Sequence, residues 1–184
     1  MRDAEAFLSR VISALERAGV PHMLAGSFAS GIHGVPRSTL DIDLIIDPSV
    51  EALDRLLAIL ADEEFYVDPE VARDELSRRG QFNIIDSSVG WKADCIYRKS
   101  RPFSFAEFAR RTPITLQGIA LFIASAEDTL LAKLEWAKLG HSEQQLSDVR
   151  GIVEAQRESL DRAYIESWLD VLGVRELWEL VLRG

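Results

Sequence analysis

Apolar side chains recur at helical spacing from residue 3 to 19, at Phe7, Leu8, Val11, Ile12 and Leu15, until Gly19 and Pro21 stop the run. Val20 to Ala25 then predicts a first strand, and a short helix carries the chain to Gly34-Val35-Pro36, which breaks it. Asp41 to Ile46 predicts a second strand. Asp47-Pro48-Ser49 reads as a turn and helix cap, and Leu53, Leu56, Leu57 and Leu60 mark a helix to about Asp62. Phe65-Tyr66-Val67 reads as a short edge strand, and residues 70 to 79 as a polar helix. Two hairpins are predicted, 81–86 with 91–97 and 112–116 with 119–123, with a helical turn or two at 103–110 between them.

From Ser125 the pattern is wholly helical. Ser125-x-x-Asp128 approximates a capping box ahead of Leu130, Leu131, Leu134 and Ala137. Leu146, Val149, Ile152 and Val153 mark the next helix. Two shorter ones follow, separated at Gly173. These elements predict an α/β (α+β) fold. A short mixed sheet flanked by helices spans 1–124, and a helical C-terminal subdomain packed on that core spans 125–184.

One stretch carries chemistry. An apolar run ends in Gly26-Ser27, and thirteen residues (28 to 40) separate that pair from Asp41-Ile42-Asp43. On a strand Asp41 and Asp43 share one face, roughly 7 Å apart, while Ile42, Leu44 and Ile46 point into the core. Carboxylates so placed suit hard cations such as Mg²⁺, and a Gly-Ser bend offers backbone N–H groups to phosphate. A third carboxylate from a neighbouring strand would complete such a site. Asp94 sits mid-strand in Lys92-Ala93-Asp94-Cys95-Ile96, where an unpaired acid is costly without a cation. Its rival, Asp86, lies at a hairpin end, where Asp is common for turn reasons alone.

Ala25-Gly26-Ser27, the gap, and Leu40-Asp41-Ile42-Asp43-Leu44 together resemble the signature of the DNA polymerase beta superfamily of nucleotidyltransferases. The longer string His33-Gly34-x-x-Arg37-x-Thr39-x-Asp41-Ile42-Asp43 resembles its minimal bacterial and archaeal branch, which includes the AbiEii-type (type IV) toxins. The resemblance implies the nucleotidyltransferase fold and metal-dependent transfer of an NMP from an NTP to a hydroxyl acceptor. The cofactors implied are two Mg²⁺ ions, or Mn²⁺ in their place. The acceptor would be a tRNA end, a protein side chain or a small molecule, and an antitoxin would be a partner protein. Asp41, Asp43 and Asp94 would be catalytic metal ligands, with Gly26, Ser27 and Arg37 on the nucleotide. In the toxin branch a helical Lys and a later Asp complete the site, and Lys133 and Asp148 match that order.

Each residue has a plainer reading. Arg37 pairs with its own acidic cluster, His33 packs or caps its helix, and Lys133 and Asp148 form a structural salt bridge. Trp91, Trp136, Trp168 and Trp178 occupy core-like positions, and Cys95 is a small core residue. The competing function is a non-catalytic nucleotide- or metal-binding regulatory module of the same fold. A zinc hydrolase is excluded by three scattered histidines, His22, His33 and His141.

Composition sharpens this only in part. A net charge of −9 counters indiscriminate duplex binding. Residues 73–111 nevertheless carry nine basic against five acidic side chains, leaving 12 against 25 elsewhere. No apolar run suits a membrane span, no signal-peptide core opens the chain, and one cysteine forms no internal disulfide; the expectation is cytoplasmic.

Overall fold

The computed structural model describes residues 2–39 and 41–183; Leu40 of the acidic motif lies outside them. Among the described residues the fold is α/β, with nine helices and a six-stranded mixed sheet. The chain divides into two compact units, Met1–Leu24 with Thr39–Ile123, and Ala25–Ser38 with Ala124–Gly184.

The first unit holds the whole sheet, ordered β3-β4-β2-β1-β6-β5. Its strands are β1 (His22–Leu24), β2 (Asp41–Ile46), β3 (Gln81–Asp86), β4 (Trp91–Tyr97), β5 (Thr112–Leu116) and β6 (Ile119–Ile123). β1 runs antiparallel to β2 and parallel to β6, while β2 runs parallel to β4. Alternation along β2 buries Ile42, Leu44 and Ile46, and along β4 it buries Ala93, Cys95 and Tyr97. Helix α1 (Arg2–Ala18) adds Phe7, Val11, Ile12 and Leu15 to this core, and α3 (Val50–Asp62) adds Leu53, Leu56 and Leu60. Ser49 caps α3 by accepting from the Ala52 N–H at 3.2 Å. Asp47, just past β2, is gripped by Arg79 (2.9 Å) and Arg98 (2.7 Å), which fixes the strand's far end. Tyr97 donates to Ala72 O at 2.7 Å, tying β4 to α4 (Pro69–Arg78).

One local expectation changes. Phe65-Tyr66-Val67 forms no strand of its own: Tyr66 makes a single bridge to Ile85, while Phe65 turns inward against Phe7. The helical turn or two expected after Arg101 is a two-turn helix, α5 (Pro102–Ala109), started by its proline. The β5–β6 turn uses Gln117 and Gly118, both at positive φ (50° and 86°), the backbone a two-residue hairpin turn requires.

The second unit is helical: α2 (Gly26–His33), α6 (Ala126–Gly140), α7 (Glu143–Gln156), α8 (Arg162–Leu172) and α9 (Arg175–Arg183). Its core is Leu130, Leu131, Leu134, Val149, Ile152, Ile165, Leu169 and Trp178. Trp136, expected among core positions, is instead 59 % exposed, because the inward side of α6 is already filled by its leucines. The end of α2 presses on α7 at glycine: a Cβ on Gly34 would stand 2.7 Å from Ile152 N and 2.8 Å from the Gly151 carbonyl carbon. His33 Nε2 donates to Ala124 O (2.7 Å), and Gln156 donates to His33 O (2.9 Å), so His33 fastens α2 within this unit.

Candidate functional site

In the first unit the parallel register of β2 and β4 does the assembling. It sets Asp43 opposite Asp94 and Asp41 opposite Lys92, with Ile42 and Ala93 on the buried face between them. Three carboxyls and one ammonium therefore share one face of two adjacent strands. Lys92 Nζ lies 3.3 Å from Asp41 Oδ1, 3.1 Å from Asp94 Oδ1 and 3.3 Å from Asp94 Oδ2. Partial burial works to lower the Lys92 pKa, but hydrogen bonds and charge from Asp94, then Asp41, raise it above the ordinary lysine value.

Asp86, by contrast, is spent on its turn. It accepts from Ser88 N at 3.0 Å and Ser88 Oγ at 2.5 Å, and pairs with Arg10 at 2.8 Å. The Ser88 hydroxyl chiefly, helped by Arg10, holds its carboxyl below the usual range despite burial. A hollow of about 380 Å³ lies over the β5–β6 hairpin, lined by Glu16, Pro113, Thr115 and Phe122, and contains none of the candidate residues.

Does the acidic set suit a divalent cation? Its donors are hard carboxylate oxygens, the kind Mg²⁺ and Mn²⁺ take. Asp94 Oδ1 is buried and, beyond the Lys92 ammonium at 3.1 Å, accepts no hydrogen bond among the described residues. Among the described residues no group of three or more acidic, histidine or cysteine side chains is gathered tightly enough to hold a metal as placed. A cationic ammonium already stands between Asp41 and Asp94. The chemistry of the donors fits; the counter-ion present is the protein's own.

The second unit brings together Ser27, Arg37, Lys133 and Asp148. Gly26 opens α2 at φ 59°, a left-handed conformation that favours glycine, and the next residue presents Ser27. Lys133, only 4 % exposed, reaches Asp148 at 2.7 Å and the Ser27 hydroxyl at 3.4 Å. Arg37 donates to the Ser27 hydroxyl and approaches Asp148 Oδ1 at 3.3 Å. Gln144 donates to the same Oδ1 at 3.1 Å. Burial works to raise the Asp148 pKa, but Lys133, Gln144 and Arg37 together hold it below the usual carboxylate value. A cleft of about 260 Å³ opens here, lined by Arg37, Gln144, Ser147, Asp148, Arg150 and Glu154. Thus the plain salt bridge and the charged cluster are the same object: a hydroxyl and two cations gathered around one buried carboxylate.

Two members were not singled out from sequence. Lys92 was signalled by its spacing of two from Asp94, which shares a strand face, and Gln144 by its spacing of four from Asp148 on one helix.

No family model matches the chain, and no curated protein matches it. Solved structures do. One is the antibiotic-resistance factor ANT(2'')-Ia in solution, with a TM-score of 0.62 at 16 % identity over 96 % of this chain and 95 % of that one. The same factor in complex with adenylyl-2''-tobramycin gives 0.60 at 16 % identity, covering 93 % and 97 %. An antigenic nucleotidyltransferase-like protein from Paracoccidioides brasiliensis gives 0.59 at 16 % identity, covering 96 % and 91 %. The chain has the fold of these nucleotidyltransferases. Among the described residues no helix is long and apolar enough to cross a membrane.

Proposed function

We propose that this protein transfers a nucleoside monophosphate from an NTP to a hydroxyl of a small-molecule acceptor. The observation that carries this reading is the β2–β4 register, which sets Asp43 beside Asp94 and aligns Asp41 on the same face. Asp41, Asp43 and Asp94 would hold two Mg²⁺ ions, or Mn²⁺ in their place. Held there, such ions would supply Lewis-acid chemistry, making the acceptor hydroxyl more acidic and offsetting the charge on the phosphates. The remaining work falls to the chain's own donors. The Ser27 hydroxyl and backbone N–H bind phosphate oxygens, Lys133 supplies a compact charge, and Arg37 supplies a planar fork. Asp148 keeps Lys133 and Arg37 gathered in the free protein, so the triphosphate meets cations already oriented. Gly26 gives the backbone turn on which Ser27 is presented.

The net charge of −9 favours a small cationic acceptor over a nucleic acid. Because the fold is that of ANT(2'')-Ia, an aminoglycoside is the first acceptor class to try. An NTP donor and a single buried thiol, Cys95, fit a cytoplasmic enzyme. The AbiEii-type motif likeness points instead to a toxin-type activity on an RNA end or a protein, checked by an antitoxin.

Incubation with each α-labelled NTP and Mg²⁺, against an aminoglycoside panel, tRNA and cell protein, separates these readings. Label on a small molecule supports the proposal, and label on tRNA or protein redirects it to the toxin-type branch. NTP binding with no transfer to any acceptor favours the regulatory module.

A further inference from the structure

Lys92 enters the acidic face for two geometric reasons. It lies two residues before Asp94 on β4 and directly opposite Asp41 on β2. Its ammonium is within 3.3 Å of carboxylate oxygens from both strands. A divalent ion bridging Asp41 and Asp94 would need that same ground, and two cations so close repel strongly. The Lys92 side chain is 34 % exposed, and its four-carbon stem lets the ammonium swing to water without disturbing the strand.

We propose that Lys92 is a tethered counter-cation: it partly offsets the charge of Asp41 and Asp94 in the metal-free protein and is displaced when a divalent ion enters. The inference rests on the reading of Asp41, Asp43 and Asp94 as metal ligands. Two consequences follow from mass action and electrostatics. Lys92 weakens divalent-cation binding by competing for the carboxylates, and it stabilises the metal-free sheet by relieving repulsion among three acids on one face. Loading therefore exchanges a protein-borne charge for a metal charge, so the three acids are never left without a counter-cation.

The test is Mn²⁺ binding to the full chain, followed through the electron-spin signal of free Mn²⁺, together with thermal melting with and without the ion. Lys92→Met keeps the stem and removes the charge; Lys92→Arg keeps the charge. The Met variant is expected to bind Mn²⁺ about five- to tenfold more tightly than wild type. It should also melt lower than wild type without metal and match it at saturating Mn²⁺, while the Arg variant stays near wild type in both. Should the Met variant bind Mn²⁺ no more tightly than wild type, while Asp43→Asn abolishes binding, the counter-cation is overturned and the ligand assignment stands. If neither wild type nor the Met variant binds Mn²⁺, or if Asp43→Asn leaves binding unchanged, both are overturned.

Discussion

A buried lysine facing a buried carboxylate is expensive to break and modest in net value, because both charges have left water. Lys133 and Asp148, with side chains 5 % and 6 % exposed, are such a pair. Lys133→Met leaves Asp148 with only Arg37 and Gln144, and should lower the unfolding free energy by about 1–3 kcal/mol. The double variant with Asp148→Asn should lose less than the sum of the single losses, which urea unfolding of the four proteins would measure. The pH dependence follows from the same carboxyl. Its folded-state pKa lies below its unfolded value. Its contribution is therefore complete above the unfolded value and lost as pH falls through the folded one. Wild type should lose stability below about pH 4 by an increment that Asp148→Asn lacks, read from melting temperatures across the acid range. At this scale Lys133 and Asp148 stood out by motif order, and the salt bridge read as their plainer account is the 2.7 Å contact the fold makes. Lys92 was hidden because a lysine near a hairpin turn reads as a solvated charge.

Elements were more legible than contacts. The period-two alternation of Asp41–Ile46 and Trp91–Tyr97 announces two strands with polar and apolar faces. It says nothing of their adjacency, since a hairpin pattern reveals only the β3–β4 pairing, whereas β2 meets β4 through a long crossover. Phe65-Tyr66-Val67 looked like a strand by composition, but the pull of Phe65 into the core leaves room for only one bridge. The α2–α7 approach was equally unreadable, because Gly34 and Gly151 serve as breakers or spacers in any one-dimensional view. Gly34→Ala should force the two helices apart and cost about 1–3 kcal/mol, visible as a lower melting temperature. Gly26→Ala puts a Cβ on a backbone at φ 59°, at a cost of roughly 1–2 kcal/mol. Under the proposed role of Ser27, its KM for NTP should also rise.

For the molecule as a whole, the fold persists in solved nucleotidyltransferases at 16 % identity, as expected where cores tolerate exchange of one apolar residue for another. The fold class was readable because hydrophobic periodicity is what such exchange preserves. Chain-wide charge is the other property of this scale. With a net charge of −9, a cationic acceptor should associate faster at low salt, and its apparent KM should rise with ionic strength. A neutral acceptor would show no such trend in initial rates across a salt series.

The most direct test of the central claim compares two acids on neighbouring strands, Asp94 and Asp86. Transfer of α-labelled nucleotide to the acceptor is measured for Asp94→Asn and Asp86→Asn, each confirmed folded by circular dichroism. Asp94→Asn should lose on the order of 10³-fold in rate with little change in melting temperature. Asp86→Asn should melt lower and keep a rate close to wild type. A fully active Asp94→Asn protein would contradict the account.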